Sequence, residues 1–389
     1  PVSSTFGLGQ GFETFDENFP HGTGSVQHTE RSAAEVTAAA LPWLTRQKGK
    51  KFFLWVHYFD PHTPYQPPPP FDRTYAANPY DGEIAFVDAQ LGALLGRLAE
   101  VAEPERTIVA VLGDHGESHG EHGESHHGIF IYEATIRAPF IVRAPGRIPS
   151  RLRLDGPVSI VDVFPTLLHL AGLSNEIGGS PPVQGADLAV MRPGPAAMAR
   201  PEQQPIVLES LLPRLEYGWS ELRGIRRGRW KYISAPRPEL FDLATDPQEK
   251  LNLLASPATG ASPDAASAAA TLKARLDDFL AESAVSSAEG SARRKMDQET
   301  IVKLRSLGYL QQPAQAIPGQ LEGEDPKDRV MLAGEIENVG TLLQHGRFEE
   351  VIAAGRRYLE RDPNNSRVQH GFAVALLYAK KYDELDRFL

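Results

Sequence analysis

The chain has 389 residues, 41% hydrophobic and 23% charged, an ordinary globular composition that excludes a disordered or fibrous polypeptide. With 40 basic against 50 acidic residues, the formal net charge is −10, the wrong sign for non-specific nucleic-acid binding. There is no cysteine, which excludes disulfides and thiolate metal sites, and no apolar stretch approaches the roughly 20 residues of a membrane span.

From residue 52 to 172 the pattern alternates strand and helix. Phe52-Phe-Leu-Trp-Val56 is a short apolar run that predicts a central strand. It leads into Asp60-Pro-His-Thr-Pro-Tyr65 and four prolines, Pro67 to Pro70, a stiff stretch that cannot continue a sheet. Ile84, Val87, Leu91, Leu94, Leu95 and Leu98 then repeat at helical spacing. Thr107 to Leu112 reads as a buried strand, and Ala138 to Arg143 as another. A helix opens near Asp162, tolerates Pro165 in its first turn and closes at Gly172. Strands alternating with helices predict an α/β domain whose mostly parallel sheet is covered by helices on both faces.

Residues 174–204, rich in Gly, Pro and Ala, predict a surface excursion. Ile206-Val-Leu208, Trp230 to Ile233 and Glu239 to Leu243 then predict a small antiparallel subdomain. Residues 255–293 read as part helix and part linker, Glu299 to Leu310 as a helix, and 311–324 as a polar linker. The last segment repeats itself. Gly346-Arg-Phe348-Glu-Glu-Val351 recurs as Lys380-Lys-Tyr382-Asp-Glu-Leu385, with Asp362-Pro-Asn-Asn365 between them. That period and turn predict an all-α tail of tetratricopeptide type over 325–389, too short to bury its own face, so it should pack on the preceding domain or continue in a longer protein.

The chemistry concentrates in Gly113-Asp-His-Gly-Glu-Ser-His-Gly-Glu-His-Gly-Glu-Ser-His-His-Gly128, which holds five of the 12 histidines at the end of a predicted strand. Open α/β sheets place ligands there. Asp114 and His115 are candidate metal ligands, since carboxylate oxygen suits hard divalent cations and imidazole suits transition metals or zinc. A lone Asp-His is more often a hydrogen-bonded turn, but the surrounding glycines allow close backbone approach to a ligand. The zinc-protease pattern His-Glu-x-x-His does not fit, because His122-Gly-Glu-Ser-His126 differs in spacing and sits in a glycine-broken loop. His62 and His126 or His127 could reach such a crevice and move a proton or contact an anionic oxygen near pH 7. His57 reads as a core residue of its strand, His119 and His122 as solvated loop residues, and His169 as a helix residue needing no function.

Residues 52–65, Gly113 to Glu117, and His127-Gly-x-x-x-Tyr-Glu-x-x-x-Arg-x-Pro139 appear in an order that resembles the sulfatase family of the alkaline phosphatase superfamily. Arg229-Trp-Lys-Tyr-Ile with Glu239-Leu-Phe-Asp-Leu resembles that family's closing antiparallel subdomain, and Lys303 to Tyr309 the segment that often ends it. The resemblance covers roughly 1–312, divided into an α/β part (1–204) and a subdomain (205–312), followed by a linker (313–324) and the tail (325–389). It implies that Asp114 and His115 hold one divalent cation, calcium first, with manganese, magnesium or zinc as alternatives. His62 would contact the ester near its leaving group, and His127 the sulfate or phosphate oxygens. The family's nucleophile, a matured Cys or Ser in a Cys/Ser-x-Pro-Ser-Arg motif, has no counterpart, since Pro149-Ser-Arg151 has Arg147 at the nucleophile position and follows the metal pair. The chain is therefore expected to lack the first part of the domain and to show little or no esterase activity alone.

The implied function is hydrolysis of a small-molecule or glycan sulfate ester, with a protein or peptide partner on the repeats and a periplasmic or envelope setting. A phosphodiester or phosphonate hydrolase, or a phospho-group transferase, of the same superfamily is the alternative. A non-catalytic module holding a structural ion and binding peptide is a further one.

Overall fold

The computed structural model describes residues 4, 7–18, 31–154, 156–174, 184–190, 204–255, 262–290, 321, 323–363 and 365–389. The chain divides into two compact units, 1–109 with 143–150, and 110–142 with 151–389.

In the first unit, α1 (Ala33–Thr45) starts at a capping box in which Ser32 and Glu35 satisfy each other's backbone N–H groups. A single turn, α2 (Phe71–Thr74), precedes α3 (Pro79–Val101), which begins with proline at its first position, where no intrahelical N–H is needed. Residues 52–56 alternate with a two-residue period. Phe52, Leu54 and Val56 pack with Leu44, Leu94 and Val101, whereas Phe53 and Trp55 are 70% and 52% exposed. The expected strand is not formed, because this stretch has no ladder partner among the described residues. His57 is accordingly exposed rather than part of a core. The buried face of α3 carries Phe86, Leu94 and Val101, while Ile84 and Leu95, expected to be buried, stand outward.

In the second unit, β1 (Val109–Leu112, its first residue in the other unit) pairs with β2 (Phe140–Arg143). A one-turn helix, α4 (Glu133–Ile136), lies between them in sequence, and α5 (Val163–Ala171) ends where Gly172 turns left-handed at φ 75°. The second sheet is a meander in the order β3 (Ile206–Ser210), β4 (Leu222–Arg227), β5 (Trp230–Ser234) and β6 (Glu239–Asp242), with every neighbour antiparallel. A short helix, α6 (Leu212–Tyr217), links the first two strands. The mostly parallel sheet expected from sequence is not formed among the described residues, which hold only the β1–β2 pair and this meander. The surface excursion over 174–204 lies mostly outside the described residues, as do the helix expected over 299–310 and nearly all of the 311–324 linker.

Successive strand residues point to opposite faces. Ile225, Tyr232 and Leu240 face α7 (Pro263–Gly290) through its Leu272 and Leu276. Ile233 and Phe241 face the other way, into a core shared with Ile129 to Tyr132 and Trp219. Val330, Ala333, Ile336, Tyr358 and Val368 of the tail complete that second core. The tail is four helices, α8 (Pro326–Gln344), α9 (Phe348–Leu359), α10 (Ser366–Tyr378) and α11 (Tyr382–Phe388), with side-chain caps from Asp325 and Asn365 on α8 and α10. The two repeat aromatics, Phe348 and Tyr382, each open a helix.

Candidate active site

The strand β1 delivers Gly113, whose N–H donates to the Pro139 carbonyl at 3.0 Å, and the chain then turns into the histidine loop. Gly116 is required there: a Cβ would stand 2.4 Å from the Ala134 carbonyl oxygen, and its own N–H donates to Thr135. The loop closes on itself, with Ser118 N–H donating to the His126 carbonyl (2.8 Å) and Gly120 N–H to that of Glu124 (2.9 Å). The fully buried Ser118 hydroxyl also donates to the Glu124 carbonyl at 2.8 Å.

That closure brings both ends of the histidine run together. The rings of His115 and His127 lie 4.0 Å apart, centroid to centroid. The Asp114 carboxylate lies 3.7 Å from His115 Nε2, with both side chains accessible. His115 Nδ1 faces the Gly116 carbonyl at 2.8 Å. A carbonyl only accepts, so Nδ1 carries a proton, and Nε2 is the nitrogen turned toward Asp114. One hard oxygen and one imidazole nitrogen on the same rim fit two positions of a divalent cation's ligand set. Among the described residues no group of three or more such donors gathers.

His127 is held differently. Its Nδ1 lies 3.1 Å from the nearly buried Glu117 carboxylate, and that hydrogen bond holds the imidazole above its ordinary pKa against the opposing pull of burial. An imidazole whose charged form is favoured in this way, beside accessible Asp114 and His115, can donate to an anionic oxygen. Glu117 was visible as part of Gly-Asp-His-Gly-Glu, but nothing in its spacing assigned it a partner ten residues on. Glu124 was also missed. It is 3% exposed, accepts from Ile129 N–H (2.7 Å) and Phe130 N–H (3.1 Å), and burial pushes its carboxyl up to about 7.

His119 is exposed, as expected of a loop residue. His122, expected to be solvated, is instead stacked on Tyr132 at 3.7 Å, and its Nε2 donates to the Gln248 carbonyl. Burial holds its pKa below the ordinary histidine value. His169 pairs with Asp187 at 2.6 Å on α5.

His62 belongs to the first unit. Its ring lies 4.2 Å from that of Phe59, and Nδ1 donates to the Thr63 carbonyl at 2.7 Å. At the start of the same loop, Asp60 accepts from Ala33 N–H at the beginning of α1 (2.7 Å), and burial holds its carboxyl above the usual range.

The segment after the histidine loop is anchored by ions. Lys231 of β5 is fully buried and pairs with Glu249 at 2.7 Å and Glu133 at 3.3 Å, while Arg226 of β4 reaches Glu133 at 2.8 Å. The buried Tyr132 hydroxyl donates to Glu239 at 2.9 Å.

Residues 3–173 match the protein family described as Sulfatase. The choline-sulfatase of Rhizobium meliloti is 35% identical over 187 residues, covering 48% of this chain and 33% of that protein. Arylsulfatase K of Bos taurus is 31% identical over 192 residues, covering 45% of this chain and 33% of its own length. The chain thus spans about a third of the length of these relatives. Among solved structures, the yidJ protein of Bacteroides fragilis aligns over 65% of this chain and 59% of its own with a TM-score of 0.54 at 22% identity. The phosphonate monoester hydrolase of Agrobacterium radiobacter aligns over 65% and 62% with a TM-score of 0.50 at 21% identity. At these identities the two likenesses are of fold alone.

Proposed function

We propose that the protein containing this chain is a sulfuric ester hydrolase, and that Asp114, His115 and His127 form part of its active site. The observation that carries the reading is the juxtaposition of the Asp114–His115 pair with the ring of His127, itself hydrogen-bonded to Glu117. The sequence likeness of 35% and 31% to two sulfatases supports sulfate over phosphonate as the ester.

Asp114 and His115 would hold one divalent cation, calcium in the first instance. When bound, the ion supplies Lewis-acid polarisation of the ester and stabilisation of developing charge. His127 donates a hydrogen bond to a sulfate oxygen, with Glu117 fixing the ring and favouring its charged form. His62 carries its Nδ1 proton on the Thr63 carbonyl, so Nε2 is the nitrogen that would serve the leaving-group oxygen. The tail is read as tetratricopeptide-like, supported by the two helices that open on Phe348 and Tyr382, with a peptide as its partner.

The test uses the natural full-length protein, stripped with a chelator and assayed on choline sulfate, para-nitrophenyl sulfate and a phenylphosphonate monoester. Turnover of a sulfate ester that is lost on stripping and restored by a divalent cation is expected. Activity confined to the phosphonate ester would assign the site to the alternative chemistry.

A further inference from the structure

Between Asp60 and Pro70 the chain contains six prolines, at 61, 64 and 67–70, and makes no strand ladder. Proline has no N–H, so this loop has few backbone donors through which its shape can be fixed. Two of them go to one carboxylate. Glu83, on the first turns of α3 and only 4% exposed, accepts from His62 N–H at 3.0 Å through Oε2 and from Gln66 N–H at 2.6 Å through Oε1. Two backbone N–H groups four residues apart that both donate to one buried carboxyl fix the arc between those residues.

The neighbouring residue makes the approach possible. A Cβ on Gly82 would stand 2.8 Å from Pro67 Cγ and 3.1 Å from the Tyr75 Cβ, so only glycine lets α3 lie directly beneath the loop. On the other side of the backbone bond, the His62 ring is fixed by the Thr63 carbonyl and by Phe59. The side chain is thereby held from both directions, its backbone by α3 and its ring by its own loop.

We infer that Gly82 and Glu83 are a positioning device for His62: Glu83 clamps the backbone of the histidine, and Gly82 clears the space that lets it do so. The inference rests on the reading of His62 as the residue serving the leaving group. Glu83 touches no reacting atom and is a positioning residue, so its effect must pass through the imidazole. A misplacement of about 1 Å can cost on the order of 10²-fold in rate.

The experiment is a double-mutant cycle in the natural full-length protein, measured on para-nitrophenyl sulfate and on phenyl sulfate, whose leaving group is poorer. Glu83→Ala is expected to lower kcat by about 10²-fold, more for phenyl than for para-nitrophenyl sulfate, with KM little changed. In a His62→Ala background the same substitution should have no further effect. Glu83→Gln, which keeps the volume and one acceptor, should recover part of the loss, and it carries the cycle if Glu83→Ala does not fold. Gly82→Ala should reproduce the leaving-group dependence in weaker form. Additive losses from Glu83 and His62, or a loss equal for both esters, would overturn the positioning role while leaving His62 in place. Turnover of both esters by His62→Ala at the parent rate would overturn the reading of His62 and the positioning role with it.

Discussion

Individual carboxylates decide how the histidine loop stands. Glu124 satisfies two backbone N–H groups but does so in a buried place, and its folded pKa of about 7 exceeds its ordinary 4.5. The folded state therefore holds a proton that the unfolded chain releases across that interval. The associated stability is fully present below about pH 4.5 and is lost as pH rises through about 7, a difference on the order of 3 kcal/mol. The thermal midpoint should fall between about pH 5 and about pH 8, and Glu124→Gln, which stays neutral, should flatten that fall. An unchanged pH slope in the variant would assign the effect elsewhere. Gly116→Ala should disturb the loop at any pH, since the added methyl meets the Ala134 carbonyl. Asp114, His115 and His127 could be nominated from sequence, because residue type and position after a strand suggest their chemistry, and the structure brings the three side chains to one rim. Glu83, Glu117 and Glu124 could not, because a carboxylate whose partner is a backbone N–H or an imidazole several residues away reads in sequence like any surface acid.

Elements reveal why some patterns were readable and others misleading. The Trp230-Lys-Tyr-Ile and Glu239-Leu-Phe-Asp strands were legible because each carries aromatic and aliphatic residues between turns, and the structure covers both of their faces. The β4 strand was missed because Leu222-Arg-Gly-Ile-Arg-Arg227 carries three arginines, two of which, Arg223 and Arg226, pair with acids. Residues 52–56 show a strand's alternation without a ladder partner among the described residues, and pairing is a property of neighbours rather than of the segment. Lys231 is the hinge of the second sheet's attachment. It is a fully buried cation between two acids, and Lys231→Met would leave Glu249 and Glu133 without it. Breaking a buried pair in this way costs about 3–5 kcal/mol, and urea unfolding of the variant should show a loss of that size. A loss under about 1 kcal/mol would mean that the cluster behaves like a surface pair.

The second unit unites what sequence divided into a subdomain, a linker and a tail. The helices of the tail pack within this unit: Ile336, Tyr358 and Val368 share one core with Ile129 to Tyr132, which directly follow the histidine loop. Ile336 is 0% exposed, and Ile336→Ala is expected to cost about 2–5 kcal/mol. Helix loss by circular dichroism and the change in tryptophan emission, to which buried Trp219 in the same core contributes, should shift together. Separate transitions would show that tail and subdomain unfold independently. The parts of the fold that sequence could not reveal are long-range ones, such as which face of the meander receives α7 and which receives the tail. The account rests in the end on Asp114, where the histidine loop begins. Its most direct test is turnover of para-nitrophenyl sulfate by the natural full-length protein and its Asp114→Ala variant under saturating divalent cation. A loss of at least about 10²-fold, with an unchanged thermal midpoint, is predicted. Hydrolysis at the parent rate would contradict the assignment of this loop to the active site.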